Sequence, residues 1–179
     1  MKATGIVRKI DELGRIVIPK EIRRTMRIRE GDPLEIFTDR AGGVMLRKYS
    51  PMGEMSRLGE DCCEALQKAT GRTAAVTDRD GVVAAAGEKK GLLLEQPLSR
   101  ELLQIMEERR LFVPMPAGIR PPIAPETGLL AAGVMPLLAE GDVLGCLLLG
   151  DDGGSGYLHE EESLLLRTMG HFMARQLEG

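Results

Sequence analysis

Residues 5–36, GIVRKIDELGRIVIPKEIRRTMRIREGDPLEI, decide how this chain begins to fold. Two short runs rich in β-branched residues, 5–11 and 14–18, flank Glu12-Leu13-Gly14, where glycine supplies the positive φ of a tight turn. The spacing predicts strand, turn, strand. Pro19 stands at the first helical position, where a missing N–H costs nothing, and Lys20 to Arg27 make about two turns of helix. Ile22 and Met26 share one face of it, and the same geometry turns Arg23, Arg24 and Arg27 outward. Gly31-Asp32-Pro33 ends the helix. Leu34 and Ile36, then Val44 and Leu46, alternate with their neighbours in two further strands joined by Ala41-Gly42-Gly43. Four short strands and one short helix within fifty residues bury too little apolar surface to stand alone, so a second copy is expected to complete the fold.

Charge separates this segment from the rest. The first fifty residues hold twelve Lys and Arg against seven Asp and Glu, a net of +5 in a chain of net −3. The remainder carries twelve against twenty, a net of −8. Arg8, Lys9, Arg15, Arg23, Arg24 and Arg27 recur among Ile and Val rather than in one solvated run. Basic side chains held on a folded surface suit a phosphate backbone. A length of 179 residues, 43% of them hydrophobic, fits two domains with a real core. The three cysteines, Cys62, Cys63 and Cys146, are odd in number with two adjacent, which is poor material for disulfides and fits a reducing cytoplasm. The opening MKATGIVRKIDELG lacks the apolar core of a secretory signal. The most apolar stretch, Gly128 to Gly150, contains Glu140 and Asp142, each costing about 2.5 to 3.5 kcal/mol in a bilayer, so it reads as a strand pair and not a membrane span.

Ser50-Pro51-Met52-Gly53 marks a boundary, and Glu54 to Thr70 reads as a helix with Met55, Leu58, Cys62, Leu66 and Ala69 at helical spacing, stopped by Gly71. Strands are expected over 72–77 and 82–87 around Asp78-Arg79-Asp80-Gly81. Ser99 caps a helix reaching Arg109. Pro114 to Pro125, with five prolines in twelve residues, is expected to be a loop or mobile lid. A hairpin of Leu129 to Leu138 and Val143 to Leu149 follows, then a closing helix from Leu158 to Leu177 whose inner face is read as Leu165, Met169, Phe172, Met173 and Leu177. The architecture is α+β, an antiparallel sheet covered by helices.

Bland readings fit most of the other conspicuous residues. Cys62 and Cys63 are expected on a helix with one sulfur inside, and no second CxxC or His pair has zinc spacing, so no metal is expected. His159 and His171 lack partners arranged as a triad. The run Gly150 to Gly156 has two aspartates and no P-loop lysine, and reads as a flexible connector. The methionines of the helices are core or oligomer packing. Nothing in residues 51 to 179 pairs a nucleophile with a base, so neither catalysis nor a cofactor is expected.

The string LGRIVIPKEIRRTMRI closely resembles the swapped-hairpin DNA-binding module of the AbrB transition-state regulators. The run REGDPLEIFTDRAGGVMLRKYSP and the acidic domain after it look like the stage V sporulation protein T family, whose second domain is GAF-like. The resemblance implies an α+β chain of two domains. Residues 1–50 would form an AbrB-type swapped-hairpin β-barrel completed by a second chain, residues 51–53 a linker, and residues 54–179 a GAF-like antiparallel sheet flanked by helices. It implies a transcriptional regulator of sporulation or cell state, working in the cytoplasm on the nucleoid. It also implies a homodimer through the first domain, a homotetramer through helices beside the second, and an unidentified small-molecule ligand there. Carried over position by position, the contacts to double-stranded DNA fall on Arg8, Lys9, Arg15, Arg23, Arg24 and Arg27. Arginine suits this role because its planar fork grips a phosphate or the O6 and N7 edge of guanine with two hydrogen bonds. With no long recognition helix, binding would lean on phosphates and on a deformable, A·T-rich duplex. The alternative is an antitoxin-like DNA-binding protein whose C-terminal domain holds a protein partner, although antitoxin tails are short and the 129 residues here are patterned as a globular domain.

Overall fold

The computed structural model describes residues 4–49, 56–116, 118–152 and 156–178. It divides into two compact units, Met1–Tyr49 and Ser50–Gly179. The expected boundary at Ser50-Pro51-Met52-Gly53 lies outside the described residues, as do Glu54, Met55 and the Gly153-Gly154-Ser155 part of the expected connector.

In the first unit, helix α1 spans Lys20–Thr25, with Pro19 as its N-cap. It stops two residues before the expected end at Arg27, because the chain closes in a Schellman turn. Ile28 N–H donates to Arg23 C=O at 2.8 Å and Arg27 N–H to Arg24 C=O at 3.3 Å. Strands β1 (Leu34–Thr38) and β2 (Val44–Lys48) pair antiparallel, with Ile36 opposite Leu46 and Phe37 opposite Met45. Their connection is built by Asp39, whose carboxylate accepts from the Ala41 and Gly43 N–H groups, each at 2.8 Å.

The hairpin expected over 5–18 is present only in its turn. Asp11 N–H donates to Arg15 C=O and Gly14 N–H to Asp11 C=O, each at 3.0 Å, with Gly14 at φ 77°. Beyond the turn the two arms form no strands, which corrects the expectation for 5–11 and 14–18. A ladder needs a partner for its N–H and C=O groups and a cover for its apolar face. Val7 is 86% exposed, Leu13 73% and Val17 73%, and among the described residues of this unit Pro19 alone is buried.

The second unit is a four-stranded antiparallel sheet, order β4-β3-β6-β5, made of β3 (Ala74–Thr77), β4 (Val82–Ala86), β5 (Ala131–Ala139) and β6 (Asp142–Gly150). β5 and β6 turn back through Glu140 and Gly141, both at positive φ (51° and 85°), the backbone of a tight hairpin. Both faces of the sheet are covered. On one side α2 (Ser56–Thr70) and α5 (Glu160–Leu177) pack over Ala74, Val76, Leu147 and Leu149. On the other, α4 (Arg100–Glu107) and the short α3 (Lys90–Leu93), which the sequence reading missed, lie over Ala75, Leu148 and Val134. Successive residues of a strand point to opposite faces, so a sheet covered twice is apolar at consecutive positions. Cys146 to Leu149 are each wholly buried.

Four details depart from expectation. The sheet-facing side of α5 is Leu166, Gly170 and Met173, with Met169 and Leu177 alongside, whereas Leu165 and Phe172 are exposed. Glycine sets that choice, because a methyl at Gly170 would run into Met135 of β5, so the helix approaches the sheet along its glycine side. Cys62 and Cys63 are both buried, not one of the two. Burial pushes the Cys63 and Cys146 thiols up to about 12, and it raises Cys62 as well. The proline-rich segment is pinned at its second half, because Ile123 is fully buried, its N–H donates to Leu129 C=O (2.8 Å), and Ser99 N–H donates to its carbonyl (3.1 Å). Ser99 Oγ meanwhile caps α4 by accepting from Leu102 N–H at 3.0 Å. Finally, the two aspartates of the expected connector are paired, Asp152 with Thr73 and Lys89, and Asp151 with Arg120.

Charge enters the second unit at the ends of its strands. Arg72, just ahead of β3, is buried and meets Glu162 of α5 through Nε (2.6 Å) and Nη2 (3.3 Å), while Nη2 also donates to Tyr157 C=O at 3.0 Å. The same carboxylate accepts His159 N–H at 2.8 Å and so caps α5. Burial works against the charged form of Glu162. The Arg72 guanidinium and the His159 N–H outweigh it and hold the carboxyl below its usual 4.5. A carboxyl depressed in the folded state gives stability that is present above its unfolded value and lost as pH falls through its folded one. Glu162→Ala should cost about 3 kcal/mol at neutral pH by leaving Arg72 unpaired, with the deficit shrinking in thermal melts below about pH 4. The three thiols should be inert to a thiol reagent in the folded protein and react together with unfolding, which a denaturant series read by absorbance will show.

Candidate nucleic-acid interface

All six sequence-predicted contact residues lie in the first unit, and all are exposed: Arg8 and Lys9 on the arm before the hairpin turn, Arg15 on the arm after it, Arg23 and Arg24 in the last turn of α1, and Arg27 just beyond. The fold brings the last three together through the Schellman turn, which uses the carbonyls of Arg23 and Arg24 and the N–H of Arg27. Arg27 occupies the left-handed position of that turn at φ 53°, where glycine is usual and an L-residue costs about 1 kcal/mol or more. Basic groups at this end also meet the negative pole of the helix dipole.

Three residues to which the sequence reading gave no role at this surface hold it in shape. Asp11 organises the hairpin turn: its Oδ1 accepts from Leu13 N–H (3.0 Å) and Arg15 N–H (2.8 Å), and its Oδ2 accepts from Arg15 Nε at 2.8 Å. Those backbone and side-chain bonds from Arg15 hold its carboxyl below the ordinary value of 3.8. Asp32 and Lys48 brace the chain after α1. Lys48 Nζ lies 3.3 Å from Asp32 Oδ2 and donates to Arg27 C=O at 3.1 Å, and Asp32 also accepts Arg29 N–H at 2.8 Å. An aspartate two to four residues ahead of backbone N–H groups in a glycine turn is the signal that could have found Asp11. The Lys48 brace joins residues 21 apart, and no local pattern marks it. On the adjoining hairpin the Arg47 guanidinium sits 5.1 Å from the centre of the Phe37 ring.

Residues 54–178 match the family described as stage V sporulation protein T C-terminal, transcription factor, and residues 7–54 match the antidote-toxin recognition family MazE, bacterial antitoxin. Over 179 residues, 99% of each chain, the sequence is 40% identical to stage V sporulation protein T of Bacillus subtilis (strain 168). Over 72 residues, 40% of this chain and 74% of the relative, it is 50% identical to the transition state regulatory protein AbrB of the same organism. The second unit has the GAF fold. It is similar to the GAF domain/HD domain protein from Geobacter sulfurreducens, with a TM-score of 0.53 and 15% identity over 71% of this chain and 93% of that one. The chain belongs to the stage V sporulation protein T family of transcription factors, with an AbrB-like DNA-binding domain followed by a GAF-like domain. Among the described residues no helix is long and apolar enough to cross a membrane.

Proposed function

We propose that this chain is a non-enzymatic, cytoplasmic regulator of sporulation or a related cell-state change, in which two copies of residues 1–50 interleave their hairpins into one cationic barrel on double-stranded DNA. The observation that carries this reading is the pairing of exposed apolar arms with exposed cations. Ile6, Val7, Ile10, Ile16 and Val17 lie open to solvent beside Arg8, Lys9 and Arg15. A second chain would cover the first set and leave the second set for phosphates. Arg8, Lys9, Arg15, Arg23, Arg24 and Arg27 are the proposed DNA contacts, with A·T-rich or bendable sites preferred because a short helix end and a turn read shape more than base edges.

Residues 51–53 would link this module to the GAF-like domain over 54–179, which we assign to oligomerisation and to the sensing of a small molecule. Leu164, Leu165 and Phe172 support a tetramer. They lie on the outer side of α5 at near-heptad spacing, exposed by 60%, 38% and 47%. The antitoxin reading has the match over residues 7–54 in its favour, but the residues after it build a sheet buried on both faces and not a short tail.

DNA affinity of the full chain should fall with salt at a log–log slope near −0.9 per phosphate neutralised, and Arg15→Ala or Arg24→Ala should weaken binding with the thermal midpoint unchanged. Salt-independent binding overturns the phosphate-led mechanism. Light scattering should return a mass of four chains, falling to two in Phe172→Glu while DNA binding by the dimer persists. A mass of one chain at micromolar protein removes the interleaved barrel.

A further inference from the structure

An acidic side chain at the centre of a DNA-binding turn needs an explanation. Asp11 follows Arg8 and Lys9 and precedes Arg15, on the surface proposed to meet phosphates. Its carboxyl is held below the ordinary carboxylate value by its bonds from Arg15, so at neutral pH it is charged and repels a polyanion. The Asp11–Arg15 pair is exposed on both sides and adds little to stability in itself.

What the pair does fix is direction. A guanidinium has five N–H groups in a rigid plane, and taking the one on Nε leaves the Nη1 and Nη2 edge free as a two-pronged donor. Oδ2 of Asp11 takes that Nε at 2.8 Å, while Oδ1 is fastened to the Leu13 and Arg15 N–H groups of the turn. The carboxylate therefore bridges backbone and guanidinium and sets the plane of the fork against the turn. We propose that Asp11 is a positioning and specificity residue, which aims Arg15 for two-pronged contact with a phosphate or a guanine edge. This inference rests on Arg15 contacting DNA as proposed above.

The sign of one substitution separates this role from simple electrostatics. Asp11→Asn keeps Oδ1 as the acceptor for the turn but presents an NH2 group, or a neutral oxygen, to Arg15 Nε. If charge alone matters, removing a negative group beside DNA tightens binding. If Asp11 aims Arg15, binding to an A·T-rich linear duplex weakens by about tenfold at fixed salt, the scale of one lost two-pronged contact. The full chain is titrated as wild type, Asp11→Asn, Arg15→Ala, Arg15→Lys and the two double variants. On the Arg15→Ala and Arg15→Lys backgrounds, which have no fork to aim, Asp11→Asn should be neutral or should tighten binding. Asp11→Ser, whose hydroxyl can cap the turn but cannot span to Nε, should match Asp11→Asn and controls for loss of the turn.

Tighter binding by Asp11→Asn in the wild-type background overturns the proposal. So does equal weakening with and without Arg15, because Asp11 then acts through the turn alone. If Arg15→Ala binds like wild type, the contact reading of Arg15 fails, and the role of Asp11 falls with it. If Arg15→Ala weakens binding and Asp11→Asn does not, only the inference about Asp11 is lost.

Discussion

A sheet covered on both faces has no side from which a charged group can reach water, and the second unit is arranged around that constraint. β3, β5 and β6 are apolar at consecutive positions, with Thr77, paired to Cys146, and the exposed first residue of β6, Asp142, as their polar exceptions. Charge is displaced to the strand ends. There Arg72, Glu162, Asp151, Asp152 and Arg120 tie the start of α5, the proline-rich segment and the sheet to one another. The helix entry, the strand entry and the loop thus share one polar junction, while the packing between them is left to Leu, Ala and Met.

The first unit obeys the opposite rule. It has almost no interior of its own, and beyond α1 and the β1–β2 ladder its order comes from side chains bonding to backbone: Asp11 and Asp39 each within a local turn, and Asp32 with Lys48, whose bond to Arg27 C=O spans 21 residues. Aspartates that look, in a basic segment, like simple dilution of charge are the groups that shape it. This division suits a module whose apolar face is proposed to be finished by another chain, since local turns can form before that chain arrives.

Much of this was legible in the sequence, and the failures have physical causes. β1 and β2 followed from period-two alternation, α1 from Pro19 and the spacing of Ile22 and Met26, and the 140–141 hairpin from its turn residues. The AbrB-like module was legible from LGRIVIPKEIRRTMRI, and the stage V sporulation protein T family from the run REGDPLEIFTDRAGGVMLRKYSP and the acidic domain after it. The inner face of α5 was misplaced because hydropathy ranks Leu165 and Phe172 above glycine, whereas close approach to Met135 favours Gly170. The buried half of the proline-rich segment was hidden because proline reads as loop, and Ile123 reaches the core by tertiary contacts with Leu129 and Ser99. The arms of the first hairpin could be read as strands from β-branched content, but a ladder is a property of two segments, and one chain supplies only the turn.

Placing arginine where the backbone after α1 bends left-handed sacrifices some local comfort to obtain an outward cation at the bend itself. A glycine there would relax the corner and leave it bare. Because the corner, not helical rise, separates Arg24 from Arg27, the span between those two cations is locked to the shape of a single bend, and it cannot be tuned by lengthening or shortening the helix.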